Sequence, residues 1–400
     1  LVASMRITVI GAGSIGSAIA RDLCDRQDIS QVQVCDSRPG RLEAVHDRIH
    51  SPSLRTFQVN ARDPNTLTSI VQGTNCIVSC VPSDLNPILS EMALNMGIHF
   101  CDLGGNEEVV QHQLELHEEA RKKAVWIVPN CGLAPGLINV LCMHGIEQLD
   151  EVHSARVRVG DVPLDPEPPF KYRLSYDAEK FVEDYTTPAT VIEDGTTRRV
   201  EPLTDIESIA FGSPYEELEA FHTSGGLSTL PDDLEGRVNE LDYKTIRYPG
   251  HALQMKFLIS LGFAEKRAID VRTHLTYRDV LVRKLSQRLR GDFRDVVILR
   301  VVIAGEKDGA PTSLVYEMVE EHREGDEMSA MQRCTALPVS VVACQLASQS
   351  VTGGGATPPE HVVAPGAYLE EVRERGLSID VTEHEGHVPI ENPDLAHQTA

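Results

Sequence analysis

Four hundred residues are enough chain for two or three domains and a sizeable core. With 37 basic and 60 acidic residues the formal net charge is -23, which argues against nucleic acid or an anionic membrane surface as a partner. No apolar run reaches the ~18 residues of a membrane helix and no signal-peptide pattern is present, so a soluble, cytoplasmic protein is expected.

The first 130 residues alternate strand and helix signals. Arg6-Ile7-Thr8-Val9-Ile10 is a β-branched run suited to a buried parallel strand, and Ala18, Ile19, Ala20 and Leu23 then recur at helical spacing. Strands follow at 31–35, 56–59, 76–81, 98–101 and 125–128, with helices at 64–72, 87–96 and 107–123. Strands alternating with helices imply an α/β, doubly wound parallel sheet over residues 1–132. Residues 133–327 change pattern. Strands at 155–159, 172–175, 190–193, 238–246, 296–304 and 313–321, an Asp194-Gly195 hairpin turn, and helices at 249–260 and 276–289 describe an α+β domain around a mostly antiparallel sheet. Residues 328–382, helical at 328–350 and 367–375, are expected to pack back on the first domain, and the apolar-poor 383–400 to fray. Nine scattered cysteines without a CxxC pair or His/Cys ligand spacing read as reduced, mostly buried thiols, and no metal site is expected.

Between the first strand and helix sits Gly11-Ala12-Gly13-Ser14-Ile15-Gly16, and the next strand ends in Asp36. That order is the dinucleotide-binding fingerprint: Gly11 for the tight turn, Gly13 for close approach of the pyrophosphate, Gly16 for helix–strand packing. The phosphates would sit at the helix N-terminus by Ser14 and Ile15. Asp36 favours NAD over NADP by accepting ribose hydroxyls, although Ser37 and Arg38 beside it can accommodate a 2′-phosphate. Asp63 either closes over the adenine or caps the helix that begins at Pro64. Ligands in such sheets gather at the carboxyl ends of strands, which singles out Cys80-Val81-Pro82, Asp102-Leu103-Gly104-Gly105 and Asn130-Cys131-Gly132. In the second domain, Lys244, Arg247 and His251 fall within eight positions at a strand-to-helix junction. A guanidinium is the natural clamp for a carboxylate, and a histidine the natural acid or base near neutrality; a solvated surface turn is the competing reading.

Together with Gly11–Gly16 and Asp36, the runs Cys101-Asp102-Leu103-Gly104-Gly105, Asn130-Cys131-Gly132-Leu133-Ala134-Pro135-Gly136, Thr223-Ser224-Gly225-Gly226-Leu227-Ser228-Thr229 and Tyr243-Lys244-Thr245-Ile246-Arg247-Tyr248-Pro249-Gly250-His251 resemble the saccharopine dehydrogenase-like family. Within it the chain is most similar to the lysine 6-dehydrogenase branch. The resemblance implies NAD(P)-dependent oxidation at the Cε–N bond of lysine or an N-substituted lysine. For lysine itself the products would be 2-aminoadipate 6-semialdehyde, which cyclises to a piperideine carboxylate, ammonia and NADH. It also implies roles. Cys80, Val81, Pro82 and Leu103 would lie by the nicotinamide. Asp102 would bind the amine or simply cap its loop, Arg247 would hold the α-carboxylate, and Thr223, Ser224, Gly104 and Cys131 would line the substrate. Lys244 or His251 would move protons. The alternatives are a saccharopine dehydrogenase or reductase, with Arg173, Arg237 or Arg272 as a second cationic clamp, and a nucleotide-binding protein without turnover. A homo-oligomer, dimer or tetramer, is expected.

Overall fold

The computed structural model describes residues 5–291 and 294–391. In chain order the strands are β1 (Met5–Ile10), β2 (Ile29–Asp36), β3 (Leu54–Gln58), β4 (Cys76–Ser79), β5 (His99–Asp102), β6 (Trp126–Val128), β7 (Glu151–Pro163), β8 (Ala189–Glu193), β9 (Thr196–Val200), β10 (Glu207–Ile209), β11 (Leu218–His222), β12 (Glu240–Arg247), β13 (Asp295–Lys307), β14 (Ala310–Glu321), β15 (Gly355–Ala356) and β16 (Asp380–Glu385). Two compact units result: residues up to Val140 with Gln332–Leu377, and Leu141–Met331 with the chain from Ser378 onward.

The first unit is the expected doubly wound α/β layer. Its seven strands run β15-β6-β5-β4-β1-β2-β3, every pair parallel. Ile7, Val9, Val32, Val34, Ile77 and Val78 lose all contact with water, as strands covered on both faces require. The strand order reverses between β1 and β4, so the loops after those two strands flank the crevice where ligands of such sheets bind. The C-terminal helices return to this unit, as expected. β15 adds a seventh strand beside β6, and Arg375, just past the helix Pro365–Glu374, pairs with Asp22 and Glu371. The single helix expected at 107–123 is two, Glu107–Leu114 and His117–Lys123, because Leu116 N bonds back to Gln113 O in a tightened turn.

The second unit is a nine-stranded sheet ordered β10-β11-β12-β7-β13-β14-β16, with β8 and β9 attached to β12. It is antiparallel except for β7 beside β12. The hairpin turn is found where expected: Asp194 and Gly195 take φ of 50 and 75 between β8 and β9.

Two further expectations fail. Residues 172–175 form no strand; Tyr172 and Leu174 turn into an aromatic core with Phe181, Tyr185 and Phe221 instead. Their alternating apolar side chains satisfy a pleat and a packed coil equally, and the core decided. The expected fray from 383 is wrong as far as residue 391. β16 pairs along β14, Val388 and Ile390 are buried against Val302 and Val315, and Arg300 donates to the carbonyls of Ile390 and Glu391. Backbone pairing supplies what the polar side chains lack. Residues 392–400 lie outside the described residues.

Arg375 is almost wholly buried on Asp22, itself largely buried. Arg375→Ala strands that carboxylate without its cation and is expected to lower unfolding stability by about 3 kcal/mol, read from urea denaturation.

Candidate functional site

The Gly11–Gly16 turn is built for close approach by two kinds of glycine. A Cβ on Gly16 would lie 1.9 Å from Gly11 O, and one on Gly11 would lie 2.6 Å from Cys80 O, so the protein's own backbone excludes side chains there. A Cβ on Gly13 would meet only the tip of Arg41, at 3.9 Å. Nothing internal requires glycine at Gly13, which leaves room there for an incoming ligand to approach the backbone. Gly13 caps the eleven-residue helix Ser14–Cys24 without any side-chain hydrogen bond, which leaves its N-terminus open to phosphate. Asp36 is buried at the end of β2, where Oδ2 accepts from Ala12 N at 2.8 Å and Oδ1 from Arg38 N at 2.8 Å. The carboxylate therefore holds the turn in shape from the position where a ribose would meet it. Arg41, 3.4 Å from Asp36, was not singled out in the sequence; it lies one helical turn past the exposed Ser37 and Arg38. Cys80, Val81, Pro82, Leu103 and Gly104 are all at least partly exposed at strand ends. These residues fit a dinucleotide.

Other expected residues are engaged by the protein's own donors and acceptors. Asp63 is a helix cap: its oxygens take Thr66 N and Thr66 Oγ1, at 3.3 and 2.6 Å. Asp102 is fully buried and accepts from Gly104 N at 2.7 Å, Asn130 N at 3.2 Å and Gln113 Nε2 at 2.7 Å. Burial pushes its carboxyl up to about 6 while those donors pull it down. It ties two strand-end loops together, and that capping role accounts for it. The Cys131 thiol is buried and donates to Val128 O, so it faces its own turn rather than a substrate.

In the second unit the Lys244–Arg247–His251 grouping splits, because β12 is a strand of period two and residues three apart face opposite sides. On one face Lys244, buried, pairs with Glu207 at 2.6 Å and Asp205 at 2.7 Å. Arg158, its partner in register on β7, pairs with the same Glu207 and holds Asp242 through two 2.9 Å bonds. This network is closed on itself.

On the other face stand Tyr243, Thr245 and Arg247. Arg247 is 2% exposed; its Nη1 donates to Ile246 O and lies 3.3 Å from Asp161 on β7, while its Cζ sits 4.6 Å above the Tyr172 ring. Its Nε has no hydrogen-bond partner. His251 opens the helix His251–Ser260, which Glu219 caps by accepting from Gly250 N and Ala252 N. The imidazole is enclosed by Phe170, Tyr172, Phe181, Tyr185 and Phe221, with Nε2 3.1 Å from Tyr185 Oη. Burial, then the Arg247 charge, hold it well below the usual histidine range. Both causes disfavour the charged imidazolium.

The same aromatic region contains Asp184. Its Oδ1 lies 2.9 Å from Lys180 Nζ, its Oδ2 accepts from Tyr176 Oη at 3.3 Å, and its backbone carbonyl accepts from Ser224 N. Burial pushes its carboxyl up to about 6. Ser224 is half-buried and its neighbour Thr223 is buried. Gly226 has to be glycine, since a Cβ would strike the Tyr243 ring at 2.5 Å. Asp161, Tyr172, Tyr176, Tyr185, Tyr243 and Asp184 went unseen in the sequence. Only the alternation Tyr243, Thr245, Arg247 carried a readable signal.

A parallel α/β unit with an open phosphate turn at its switch point, joined in one chain to an α+β unit, is the organisation of a nucleotide-dependent dehydrogenase. Residues 7–128 match the saccharopine dehydrogenase NADP binding domain and residues 132–377 the saccharopine dehydrogenase C-terminal domain. The chain belongs to the saccharopine dehydrogenase family. It is 17% identical over 207 residues to carboxyaminopropylagmatine dehydrogenase of Synechocystis sp., covering 50% of this chain and 51% of that protein. It is 20% identical over 292 residues to mitochondrial alpha-aminoadipic semialdehyde synthase of Bos taurus, covering 69% and 31%. The chain thus spans about half of the first relative and under a third of the second. Among solved structures, saccharopine dehydrogenase (L-Glu forming) of Saccharomyces cerevisiae matches with a TM-score of 0.78 at 16% identity, over 95% of this chain and 100% of that one. Homospermidine synthase of Legionella pneumophila, in complex with NAD, matches with a TM-score of 0.68 at 13% identity, over 97% and 93%. At these identities the likeness is one of fold.

Because Lys244 belongs to the closed network, Lys244→Met is expected to lower stability by about 2–4 kcal/mol while leaving turnover per folded molecule within about twofold of wild type. Denaturant melts and steady-state kinetics on the same sample check both.

Proposed function

We propose that the protein is an NAD-dependent dehydrogenase that oxidises the Cε–N bond of lysine, a lysine 6-dehydrogenase, releasing ammonia and a semialdehyde that cyclises. It would work in the cytoplasm as a homo-oligomer. The observation that carries this reading is the half-satisfied Arg247: a buried guanidinium whose Nε has no hydrogen-bond partner, a donor suited to one desolvated carboxylate.

Arg247 would receive the α-carboxylate, with its charge balanced by Asp161 when the site is empty. Asp184 would receive the ammonium at the far end of the side chain. Lys180, an alkylammonium of the same chemistry as the substrate's, stands on that carboxylate and has Glu183 at 3.5 Å as a second place to go. An ammonium has no lone pair to expel hydrogen from the adjacent carbon, so Asp184 would first take its proton, becoming a carboxylic acid and leaving a neutral amine. The dinucleotide, when bound, takes up the two electrons and the hydrogen removed from that carbon. Water then adds to the resulting iminium, and the proton returns with departing ammonia.

Saccharopine is the competing substrate, and each extra carboxylate on it would need another cation. Arg173 is engaged with Glu167, while Arg237 and Arg272 are exposed, and none of the three joins the Arg247 cluster. Arg247 and Lys180 alone favour a substrate with one carboxylate. The buried Asp36 favours NAD, and the neighbouring Arg38 and Arg41 are the residues through which NADP would enter.

The direct test is reduced-dinucleotide formation with lysine and with saccharopine, each with NAD and NADP; turnover of saccharopine but not lysine would reverse the assignment. Arg247→Ala is expected to raise KM for lysine about 100-fold and leave KM for NAD unchanged. Lysine kinetics equal to wild type would remove Arg247 from the site.

Asp184 accepts a proton only when ionised, so kcat/KM for lysine is expected to rise with pH through about 6. Asp184→Asn should abolish that limb of the profile and weaken binding of lysine, but not of its ε-deaminated analogue 2-aminohexanoate.

A further inference from the structure

Arg247 is 2% exposed and its unpartnered Nε is buried, so a carboxylate reaches it only if something covering it moves aside. Most of its surroundings are framework. Asp161 and Arg247 stand on β7 and β12, adjacent strands inside the nine-stranded sheet. His251 opens the helix that Glu219 caps with two hydrogen bonds. The remaining cover is residues 164–176, the stretch between the end of β7 and Asp177, which caps the helix Ala178–Asp184. This stretch contains neither helix nor strand, and its Tyr172 ring lies over the guanidinium at 4.6 Å.

Its attachments are few. Among the described residues, two backbone bonds tie it to neighbouring chain, Leu164 N to Arg294 O and Leu174 N to Leu289 O. Lys171 N bonds to Glu167 O inside the stretch itself. Side chains add Ser175 to Asp161, Tyr176 to Asp184, Gln254 to the Pro169 carbonyl and, at the surface, Arg294 to Asp165. Asp165, Glu167, Pro168 and Pro169 are exposed, so the outer side has water to move into. Shifting β7 or β12 would break ladder bonds on both sides of each strand; shifting 164–176 breaks only this short set.

We propose that residues 164–176 are a strap that lifts from Arg247 to admit the substrate carboxylate and closes again over the bound pair, Tyr172 being the part that leaves and returns. The inference rests on Arg247 being the carboxylate site. With the strap down and no ligand present, the Tyr172 ring gives the guanidinium partial compensation through its π face. A carboxylate replaces that with a full opposite charge and a hydrogen bond to Nε. Closure then excludes water from the pair, where such a bond is strongest. Apparent affinity is reduced by the fraction of molecules whose strap is open.

Hydrogen exchange on the ligand-free wild type reads the strap alone. The Lys171 and Leu174 amides are expected to exchange at least about 100-fold faster than those of Thr245 and Ile246 in β12, and equal protection overturns the proposal. A staple reads the coupling to the site. The backbone bond between Leu174 and Leu289 brings their chains within reach of a disulfide, so Leu174→Cys with Leu289→Cys can pin the strap two residues from Tyr172. Calorimetric binding of lysine should weaken about 100-fold in the oxidised double variant and return on reduction, with oxidised wild type as the control for the native thiols. Lysine bound equally by the oxidised and reduced forms overturns the strap while leaving the site reading intact. Lysine bound by Arg247→Ala as by wild type overturns the site reading, and the strap's role as its cover with it.

Discussion

A charge withdrawn from water has to be met by an opposite charge or a full set of hydrogen bonds, and β12 shows both outcomes on its two faces. Lys244 on one side is met by Glu207 and Asp205, with Arg158 and Asp242 completing the set. Arg247 on the other is met only partly, by Asp161, a backbone carbonyl and the Tyr172 ring. The first arrangement is finished and holds a sheet together. The second has a donor left over in a place water has been excluded from. That difference in satisfaction, more than residue type, separates framework from candidate site in this unit.

The nucleotide turn follows the same logic in backbone form. Gly11 and Gly16 are glycine because the chain itself is too near, and Gly13 is glycine although the chain is not near. Asp36 braces the turn through Ala12 N and still ends β2 at the switch point of the sheet. A bound dinucleotide would thus meet a loop already held in shape, so that little ordering would remain to oppose binding.

Local signals read well where one interaction decided the structure. The alternation of apolar runs and helical spacing up to residue 128 led to the parallel sheet, and Asp194-Gly195 to a hairpin whose positive φ values few residues adopt. They failed where distant chain supplied the decisive partner. Tyr172 joined an aromatic core assembled from Phe181, Tyr185 and Phe221 rather than a strand. Residues 383–390 gained order from β14 and Arg300 despite their polar composition. Asp102, credible as a ligand from its place at a loop start, is taken up by Gly104 N, Asn130 N and the Gln113 amide, which only the folded loops bring to it.

Sequence by itself determined the dinucleotide unit and its turn, the return of the C-terminal helices and the presence of a mostly antiparallel second sheet, because periodicity and glycine spacing act over neighbouring residues. It also determined that Arg247 and Lys244 lie on opposite faces, a consequence of odd spacing on a strand that reading the three charged residues as one cluster overlooked. Tertiary structure alone decided which of those cations is satisfied, that His251 sits in an aromatic cage, and that Asp184 lies in the same aromatic region as Arg247. Those outcomes depend on burial and on partners tens of residues away, and neither quantity is written in local order.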